Sequence, residues 1–238
     1  MKKAIIVGAT SGMGRCLAKL MVDNGYLVGI TGRRTQLLEE IKAEKPESYR
    51  TKTLDITQTS SISRLMEELT IELGALDILI ISSGTGDLNE NLDFETEKRT
   101  IDTNVSGFTA VADWAFNYFS AQKHGHLVAF TSIGGLHGSS KAPAYSASKA
   151  YQINYLQGLQ IKAAKSSVHV FITDIRPGFV NTAMAKGQKL FWMASDEKAA
   201  IQIFNAIKKK KRTAYITKRW ILIALLFKHL PNRIFEKL

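Results

Sequence analysis

The sequence predicts an α/β fold in which one doubly wound domain is built on a central parallel sheet of seven strands, with helices on both faces. Short apolar runs alternate with longer segments of helical period about six times along the 238 residues, which is the pattern of parallel strands connected by helices. The runs AIIV, LDILII and HVFITDI show no polar alternation, as expected of strands covered on both faces. No internal repeat or linker-like stretch interrupts this pattern, so we predict a single domain of the Rossmann type.

The elements follow in order from these patterns. The predicted strands are Ala4–Val7, Tyr26–Thr31, Arg50–Leu54, Leu76–Ser82, His126–Thr131, Val168–Ile175 and Ala214–Thr217. Helical period indicates helices over Gly14–Asn24, Ile62–Leu73, Thr96–Gln122, Ala144–Ala164 and Asp196–Lys209. Residues 1–217 therefore form the predicted domain, and residues 218–238 form a basic, apolar, helical extension of it.

Composition and charge indicate a globular protein with anionic partners. An apolar content of 45% with 22% charged residues is ordinary for a globular chain. The net charge of +11 favours anionic partners, whether a phosphorylated cofactor, nucleic acid or an acidic membrane surface. The single cysteine, Cys16, cannot form an intrachain disulfide. The apolar run at the start is too short for a signal peptide and no run is long enough to span a bilayer, so we predict a cytoplasmic protein.

A glycine-rich turn follows the first predicted strand. Residues 8–14 read GATSGMG and open a helix. Glycines there allow a tight turn and close approach of a ligand, and the helix N-terminus offers unpaired N–H groups to phosphate. The spacing is neither the G-x-G-x-x-G fingerprint nor a Walker loop. A purely structural turn is the alternative, but the position directly after the first strand favours cofactor binding.

Two further strand ends bear on the cofactor. The second predicted strand ends at Arg33 and Arg34 with no acid nearby. An acid there would bond the ribose 2′-hydroxyl of NAD, whereas arginine accommodates a 2′-phosphate, so NADP(H) is favoured over NAD(H). The alternative is a solvated basic turn. The third strand ends at Asp55-Ile56, a pair that could flank an adenine ring.

The stretch AYSASK places Tyr145 and Lys149 four residues apart. In a helix these positions share one face, so the side chains can meet. An ammonium beside a phenol favours the phenolate and lowers the tyrosine pKa, which suits a proton-transferring tyrosine. By themselves, the two residues could equally be an ordinary surface pair.

Taken together, these residues resemble the short-chain dehydrogenase/reductase family in its compact form, from Lys3 to about Thr182. The family's glycine loop corresponds to residues 8–14, and its Y-x-x-x-K motif to Tyr145 and Lys149. Three more landmarks match in register: Ser132 in AFTSIGG, Asn104 in DTNVSG and the P-G of IRPGFVNT. Two positions depart from the family. Val7 stands where a threonine is usual, and Ile81-Ser82-Ser83-Gly84 stands where N-N-A-G is usual.

The resemblance implies roles for these residues. A nicotinamide cofactor carries the hydride, and Tyr145 is the acid in reduction and the base in oxidation. Lys149 lowers the tyrosine pKa and holds the nicotinamide ribose, and Ser132 hydrogen-bonds the substrate oxygen. Asn104 bends its helix around a water that links Lys149 to bulk solvent. The implied cofactor-binding residues are Gly8, Ser11, Gly12, Met13, Gly14, Arg33, Arg34, Asp55, Ile56, Ser82, Ser83, Gly84, Asn104, Tyr145, Lys149, Pro177, Gly178, Val180 and Thr182.

The segment after Pro177-Gly178 is implied to cover the substrate, as a lid over about residues 183–195. Phe191 and Trp192 would give it an apolar wall, which indicates an apolar carbonyl or alcohol substrate. Packing of the lid onto the domain is the alternative for these aromatic residues. His137 lies between Ser132 and the tyrosine and is a further substrate candidate. The five histidines show no metal-ligand spacing, so no metal is predicted.

The C-terminal part carries two basic features. The cations of residues 208–212 read as a solvated helix end, and no aromatic platform accompanies them, so no nucleic acid is predicted as a partner. The segment KRWILIALLFKHL has eight consecutive apolar residues, which is too few to span a bilayer but compatible with a helix at the membrane interface. A cap over the site and an oligomer contact are the alternatives. The resemblance also implies a homodimer or homotetramer.

These inferences converge on an NADPH-dependent oxidoreductase that reduces a ketone or aldehyde, with residues 1–217 as its catalytic domain. The alternatives are an NADP(H)-binding regulator without turnover and a membrane-surface scaffold. The four implied catalytic residues are all present, which argues against a regulator, because a sensor has no need of a proton donor.

Overall fold

Within residues 1–181 and 192–229, which are the part of the chain that the computed structural model describes, seven strands form one parallel sheet. The strands are β1 (Lys3–Val7), β2 (Leu27–Gly32), β3 (Tyr49–Thr53), β4 (Ile78–Ile81), β5 (His124–Phe130), β6 (His169–Pro177) and β7 (Thr213–Ile216). The helices are α1 (Gly12–Asp23), α2 (Thr35–Glu44), α3 (Thr59–Leu73), α4 (Phe94–Ile101), α5 (Phe108–Ala121), α6 (Pro143–Ala164), α7 (Asp196–Lys208) and α8 (Trp220–His229). Residues 182–191, which include Thr182, Phe191 and most of the predicted lid, and residues 230–238 lie outside the described residues.

The strand order is β3-β2-β1-β4-β5-β6-β7, and every adjacent pair is parallel. The predicted fold class is therefore confirmed. The chain moves outward from β1 to β3 and then returns to place β4 on the other side of β1. This reversal leaves a crevice beyond the carboxyl ends of β1 and β4, which is where open α/β sheets bind their ligands.

The sheet separates two apolar cores. On one face it packs against α1, α2 and α7, with Leu17, Met21 and Phe204 among the buried residues. On the other face it packs against α3, α5 and α6, with Phe108 and Leu156 among them. Burying both faces explains why the central strands β1 and β4 read as almost continuous apolar runs.

One predicted helix differs in the structure. The sequence predicts a single helix over Thr96–Gln122, whereas the structure has α4, a π-helical turn at Asp102–Gly107 and then α5. At the end of that turn the N–H of Phe108 donates to Thr103 O, five residues back instead of four. One carbonyl of the helix is thereby released from its usual partner.

Among the described residues, no helix has both the length and the apolar content needed to cross a lipid bilayer. The most apolar helix, α8, is 10 residues long.

Candidate active site and cofactor cleft

The glycine-rich turn lies at the carboxyl end of β1. Gly8 has a φ of +90°, and a Cβ on it would lie 2.6 Å from the backbone nitrogen of Ser83. A Cβ on Gly14 would overlap the carbonyl oxygen of Gly8. Only glycine fits at both positions, because one needs a left-handed backbone and the other a direct contact between main chains. The turn therefore brings the N-terminus of α1 close to the ends of β1 and β4.

The loop after β4 completes this cradle. The N–H groups of Ser82 and Ser83 both donate to Val7 O, at 2.8 and 2.9 Å. The Ser83 hydroxyl is buried and has no hydrogen-bond partner among the described residues. A buried hydroxyl without a partner is costly unless a ligand satisfies it. Together with the open helix N-terminus of α1, this serine fits a site for a polar, phosphate-bearing cofactor.

The two arginines after β2 differ in their contacts. One guanidinium nitrogen of Arg34 donates to Thr10 Oγ1 at 2.6 Å and to Ser11 Oγ at 2.8 Å. Arg34 is therefore tied to the glycine-rich turn. Arg33 is exposed beside it. Both cations lie at the edge of the cradle where the sequence predicts a 2′-phosphate.

The acid predicted to lie near an adenine is held within its own turn. Asp55 Oδ1 accepts hydrogen bonds from the backbone N–H and the hydroxyl of Thr57, at 3.0 and 2.9 Å. The neighbouring Ile56 is buried, and a Cβ on Gly107 would lie 2.6 Å from its carbonyl oxygen. The end of β3 is thus packed directly against the π-helical turn.

Ser132 and Tyr145 meet at the end of β5. Ser132 Oγ accepts the N–H of Gly134 at 3.0 Å. Burial raises the pKa of Tyr145, and the nearby Ser132 hydroxyl opposes that shift. A Cβ on Gly86 would overlap the Tyr145 ring, so the loop after β4 lies directly on the phenol.

Lys149 is buried, with 3% of its surface exposed. Its Nζ donates to Phe130 O at 3.0 Å and to Gln152 Oε1 at 2.9 Å, and lies 5.9 Å from the centroid of the Tyr145 ring. Burial lowers the pKa of Lys149 to about 8, against the attraction of Asp174. Burial of the phenol dominates the shift in the pKa of Tyr145, and the opposing contribution comes from Ser132. That Lys149 also lowers this pKa stays a prediction.

Asn104 lies within the π-helical turn and is fully buried. Its amide oxygen accepts the N–H of Thr85 at 2.9 Å, and its amide nitrogen donates to Thr85 O at 2.7 Å and to Ser148 Oγ at 3.0 Å. Its backbone carbonyl accepts a hydrogen bond from Gln152 Nε2 at 2.8 Å. The resemblance implies a water that links this residue to Lys149, whereas the structure has the carboxamide of Gln152 spanning the two.

The turn after β6 is covered by a tryptophan that the sequence did not single out. The N–H of Gly178 donates to Ile216 O at 2.6 Å, and a Cβ on Gly178 would overlap the Trp220 ring. Trp220 is 1% exposed, and Phe179 packs on it edge to face at 5.2 Å between centroids. The first residue of α8 therefore holds the Pro177-Gly178 turn in place.

The structure describes some of the remaining predicted substrate-binding and cofactor-binding residues and not others. Trp192 packs edge to face on Trp220 at 5.9 Å between centroids, and it is 40% exposed. Val180 is buried and forms an isolated bridge with Ala194. His137 Nδ1 lies 2.8 Å from Gly138 O in the loop between Ser132 and α6. Phe191 and Thr182 lie outside the described residues.

Several supporting residues were missed from the sequence. Glu97 Oε2 accepts the N–H of Ala144 at 2.7 Å, which fixes the first turn of α6 just before Tyr145. Gly86 contacts the tyrosine ring, and Gln152 contacts Lys149. Only Gln152 had a visible signal, because a residue three positions after Lys149 in a helix shares its face. Over residues 1–181 and 192–229, no cluster of three or more His, Cys, Asp or Glu side chains could hold a metal ion.

The structure brings Asn104, Ser132, Tyr145 and Lys149 together at the carboxyl ends of β4 and β5. A serine hydroxyl acts on the tyrosine phenol, and a buried ammonium lies 5.9 Å from the centroid of the phenol ring. Such a group can donate a proton to a substrate oxygen and stabilise the negative charge that the transfer leaves behind.

Comparison with known proteins places this arrangement in context. The family model described as short chain dehydrogenase matches residues 2–191. An uncharacterised oxidoreductase of Myxococcus xanthus is 32% identical over 188 residues, which cover 77% of this chain and 74% of that protein. An uncharacterised oxidoreductase of Staphylococcus saprophyticus is 32% identical over 191 residues, covering 77% and 80% of the two chains.

Solved structures share the fold. A short-chain dehydrogenase from Streptomyces avermitilis superposes with a TM-score of 0.83 at 23% identity, over 95% of this chain and 90% of that one. A closed form of serine dehydrogenase in complex with NADP⁺ gives 0.82 at 22% identity, over 90% and 93%. At these identities the likeness concerns the fold alone.

Proposed function

Because this chain belongs to the short-chain dehydrogenase/reductase family of NAD(P)-dependent oxidoreductases, we propose that it reduces an apolar ketone or aldehyde with NADPH, using Tyr145 as the proton donor. The observation that carries this proposal is that the Ser132 hydroxyl acts on the Tyr145 phenol, while the buried Lys149 ammonium lies 5.9 Å from the centroid of the tyrosine ring.

The raised pKa of Tyr145 keeps the phenol in the protonated form that a proton donor needs. Burial disfavours the phenolate, so the hydroxyl keeps its proton at neutral pH until a stronger base forms beside it. The bound nicotinamide supplies the hydride. Ser132 hydrogen-bonds the substrate oxygen as charge develops there, and Tyr145 gives its proton to that oxygen. Lys149, with a pKa of about 8, is largely charged at pH 7 and stabilises the phenolate that remains.

The cofactor preference rests on the two cations at the end of β2. Arg34 is hydrogen-bonded to the glycine-rich turn, and Arg33 is exposed at the same edge, with no carboxylate at that strand end to select the 2′-hydroxyl of NAD. The serine dehydrogenase that shares the fold was solved with NADP⁺. Both observations support NADP(H) over NAD(H).

The substrate class rests on the residues beyond the Pro177-Gly178 turn. Trp192 and Met193 are 40% and 44% exposed, and Arg219 lies over the Trp192 ring at 5.3 Å. An exposed aromatic and a flexible thioether suit an apolar carbonyl compound. That His137 and Phe191 also line the substrate site stays a prediction.

A panel of ketones and aldehydes tests this function, with oxidation of NADPH followed by its absorbance. We expect turnover with apolar carbonyls, and a loss of at least about 100-fold in kcat for Tyr145→Phe, because a positioned general acid contributes about that much or more. The Kd for NADPH should stay within about twofold, since the cradle is untouched. Tight NADPH binding without turnover of any carbonyl would favour the regulator instead, and a Phe variant with normal kcat would exclude the tyrosine mechanism.

A surface outside the cleft supports a second proposal, that α8 lies against an anionic membrane. Four aliphatic side chains of α8 are exposed: Ile221, Leu222, Leu225 and Leu226, at 40, 66, 52 and 49%. Lys218 and Arg219 precede them and are also exposed. An apolar helix face with flanking cations suits the interface of an acidic bilayer. We expect co-sedimentation with phosphatidylserine vesicles that is reduced by Leu222→Asp with Leu225→Asp. Equal partitioning of the variant would remove this proposal.

We further propose that the enzyme is a homodimer or homotetramer, as is common in the family. Tyr151 and Ile161 on α6 are 36% and 51% exposed, which leaves an apolar surface of that helix available for a second copy. Size-exclusion chromatography with light scattering gives the number of subunits, and a monomer would contradict this proposal.

A further inference from the structure

Gln152 lies on α6, one turn after Lys149, and is 1% exposed. Its Oε1 accepts a hydrogen bond from Lys149 Nζ at 2.9 Å. Its Nε2 donates to the backbone carbonyl of Asn104 at 2.8 Å. The carboxamide therefore connects two residues of the proposed catalytic group, and both of its hydrogen bonds are buried.

The π-helical turn explains why the Asn104 carbonyl is available. In an α-helix that carbonyl would accept the N–H of Phe108, but here Phe108 donates to Thr103 O. The Asn104 side chain cannot supply a substitute, because its amide is held by Thr85 and Ser148. Gln152 occupies the released acceptor.

We propose that Gln152 is a positioning residue that fixes the Lys149 ammonium in the active site by bridging it to the Asn104 carbonyl. The inference rests on the proposed function and deepens it, because it assigns to a side chain the place that the family resemblance gives to a water. A carboxamide has a fixed donor and a fixed acceptor, so it holds Lys149 in one orientation.

The bridge also limits how Lys149 can act. Its ammonium has three N–H groups, of which two are directed to Phe130 O and Gln152 Oε1. Only one is left to face the cleft, near Gly84, where a Cβ would lie 3.4 Å from Nζ. The Gln152 amide keeps its own hydrogens, so it anchors the ammonium without relaying a proton to Asn104.

The charged and titratable groups around Lys149 determine in which direction its pKa should move in each variant. Tyr145 faces it from its own helix. Asp174 on β6 raises its pKa and is itself paired with Arg176. A variant without the Gln152 oxygen removes a neutral acceptor from the ammonium and should lower the pKa of Lys149. A glutamate at this position adds an opposite charge and should raise it.

The experiment compares Gln152→Met, Gln152→Glu and a control, Gln160→Met. Gln160 is on the same helix and donates to Ile172 O and Arg212 O, at 3.2 and 3.0 Å, so its variant also loses two hydrogen bonds. The pKa of Lys149 is read by NMR titration of ¹⁵N-lysine-labelled protein, and the alkaline limb of kcat/KM by the NADPH assay. We expect Gln152→Met to move both to lower pH by about one unit, which is tenfold in the ionisation constant. Gln152→Glu should move both to higher pH, and Gln160→Met should move neither.

Unchanged titration in both Gln152 variants, or a shift in the control as large as theirs, overturns the proposal. If the Met variant does not fold, the Glu variant decides alone, because a shift to lower pH or no shift contradicts the bridge. A wild-type protein that reduces no carbonyl disproves the proposed function, whereas the NMR titration still tests the bridge. The two failures are therefore distinguishable.

Discussion

At the scale of single residues, the adjacent arginines after β2 have different contacts. Arg34 donates to Thr10 and Ser11, so it stabilises the glycine-rich turn whichever cofactor binds. Arg33 is exposed, and its guanidinium is free to form a charge-assisted pair with a phosphate at the cleft edge. Discrimination between NADPH and NADH should therefore reside in Arg33.

The variant Arg33→Ala tests this division. We expect the Kd for NADPH to rise about tenfold, the equivalent of about 1.4 kcal/mol, while the Kd for NADH changes little. Arg34→Ala is the matched control, and it should weaken both cofactors to a similar extent because the shared turn loosens. Fluorescence titration with each nucleotide measures the four constants. Equal losses for NADPH and NADH in Arg33→Ala would mean that this arginine does not read the phosphate.

The residues around Tyr145 show what spacing can and cannot predict. A tyrosine and a lysine four positions apart in a helix must share a face, so their proximity follows from the sequence. The direction of the tyrosine pKa does not, because it depends on how deeply the fold buries the phenol. Gln152 could be placed on the lysine face, but its second partner, the Asn104 carbonyl, is released only by the π-helical turn.

At the scale of elements, the loop after β4 limits the space over the phenol. A Cβ on Gly86 would overlap the Tyr145 ring, and one on Gly84 would lie 3.4 Å from both Asn104 Oδ1 and Lys149 Nζ. The two glycines let the backbone lie flat on the catalytic side chains. Any side chain at residue 86 must displace either the loop or the ring.

We expect Gly86→Ala to lower kcat by at least about tenfold, since a displacement of about 1 Å in a catalytic group has effects of this order or greater. The protein should still fold, because residue 86 is outside both apolar cores. Gly138→Ala is the loop control, as a Cβ there meets no atom within 4 Å. Steady-state kinetics and circular dichroism measure the two effects. Normal kcat in Gly86→Ala would show that the ring tolerates the methyl group.

The strands were the easiest elements to predict. The predicted bounds of the seven strands lie within two residues of the observed ones. In β1 and β4, burial on both faces leaves almost no polar residue to blur the pattern. Helix α2 was not predicted from the sequence, because only Leu38 and Ile41 are buried along it and its apolar pattern is therefore weak. The π-helical turn was not predicted, because residues 96–122 read as one helix of constant period.

At the scale of the whole molecule, the order of the sheet fixes where the proposed site lies. The reversal at β1 opens a crevice, and the strand ends next to it carry the glycine-rich turn, the serine loop and Ser132. The repeated strand–helix pattern predicts this sheet, whereas the site residues were predicted from the glycine-rich turn and the family motifs. The position of α8 was not predictable, because it depends on the contact between the Trp220 ring and Gly178. These two residues are 42 positions apart in the sequence.

A buried histidine away from the cleft makes the stability of the fold depend on pH. His126 on β5 is 5% exposed, and its Nε2 lies 2.7 Å from Thr173 Oγ1 on β6. The single hydroxyl hydrogen of Thr173 goes to Lys211 O at 2.6 Å, so Nε2 of His126 is the donor in this pair. Burial, with repulsion from Lys210 and Lys2, lowers the pKa of His126 to about 4.

This depressed pKa makes acid destabilisation a specific prediction. The unfolded chain binds the histidine proton near pH 6.5 but the folded protein only near 4, so between these values the unfolded state holds more protons. The free energy of unfolding should therefore fall as the pH drops through this window, by about 3 kcal/mol in total. Urea titrations at pH 7 and pH 4 measure it. In His126→Gln the loss of unfolding free energy between pH 7 and pH 4 should shrink by that amount. In the control His124→Gln, at an exposed position of the same strand, the full loss should remain. Equal losses in both variants would assign the acid sensitivity to other groups.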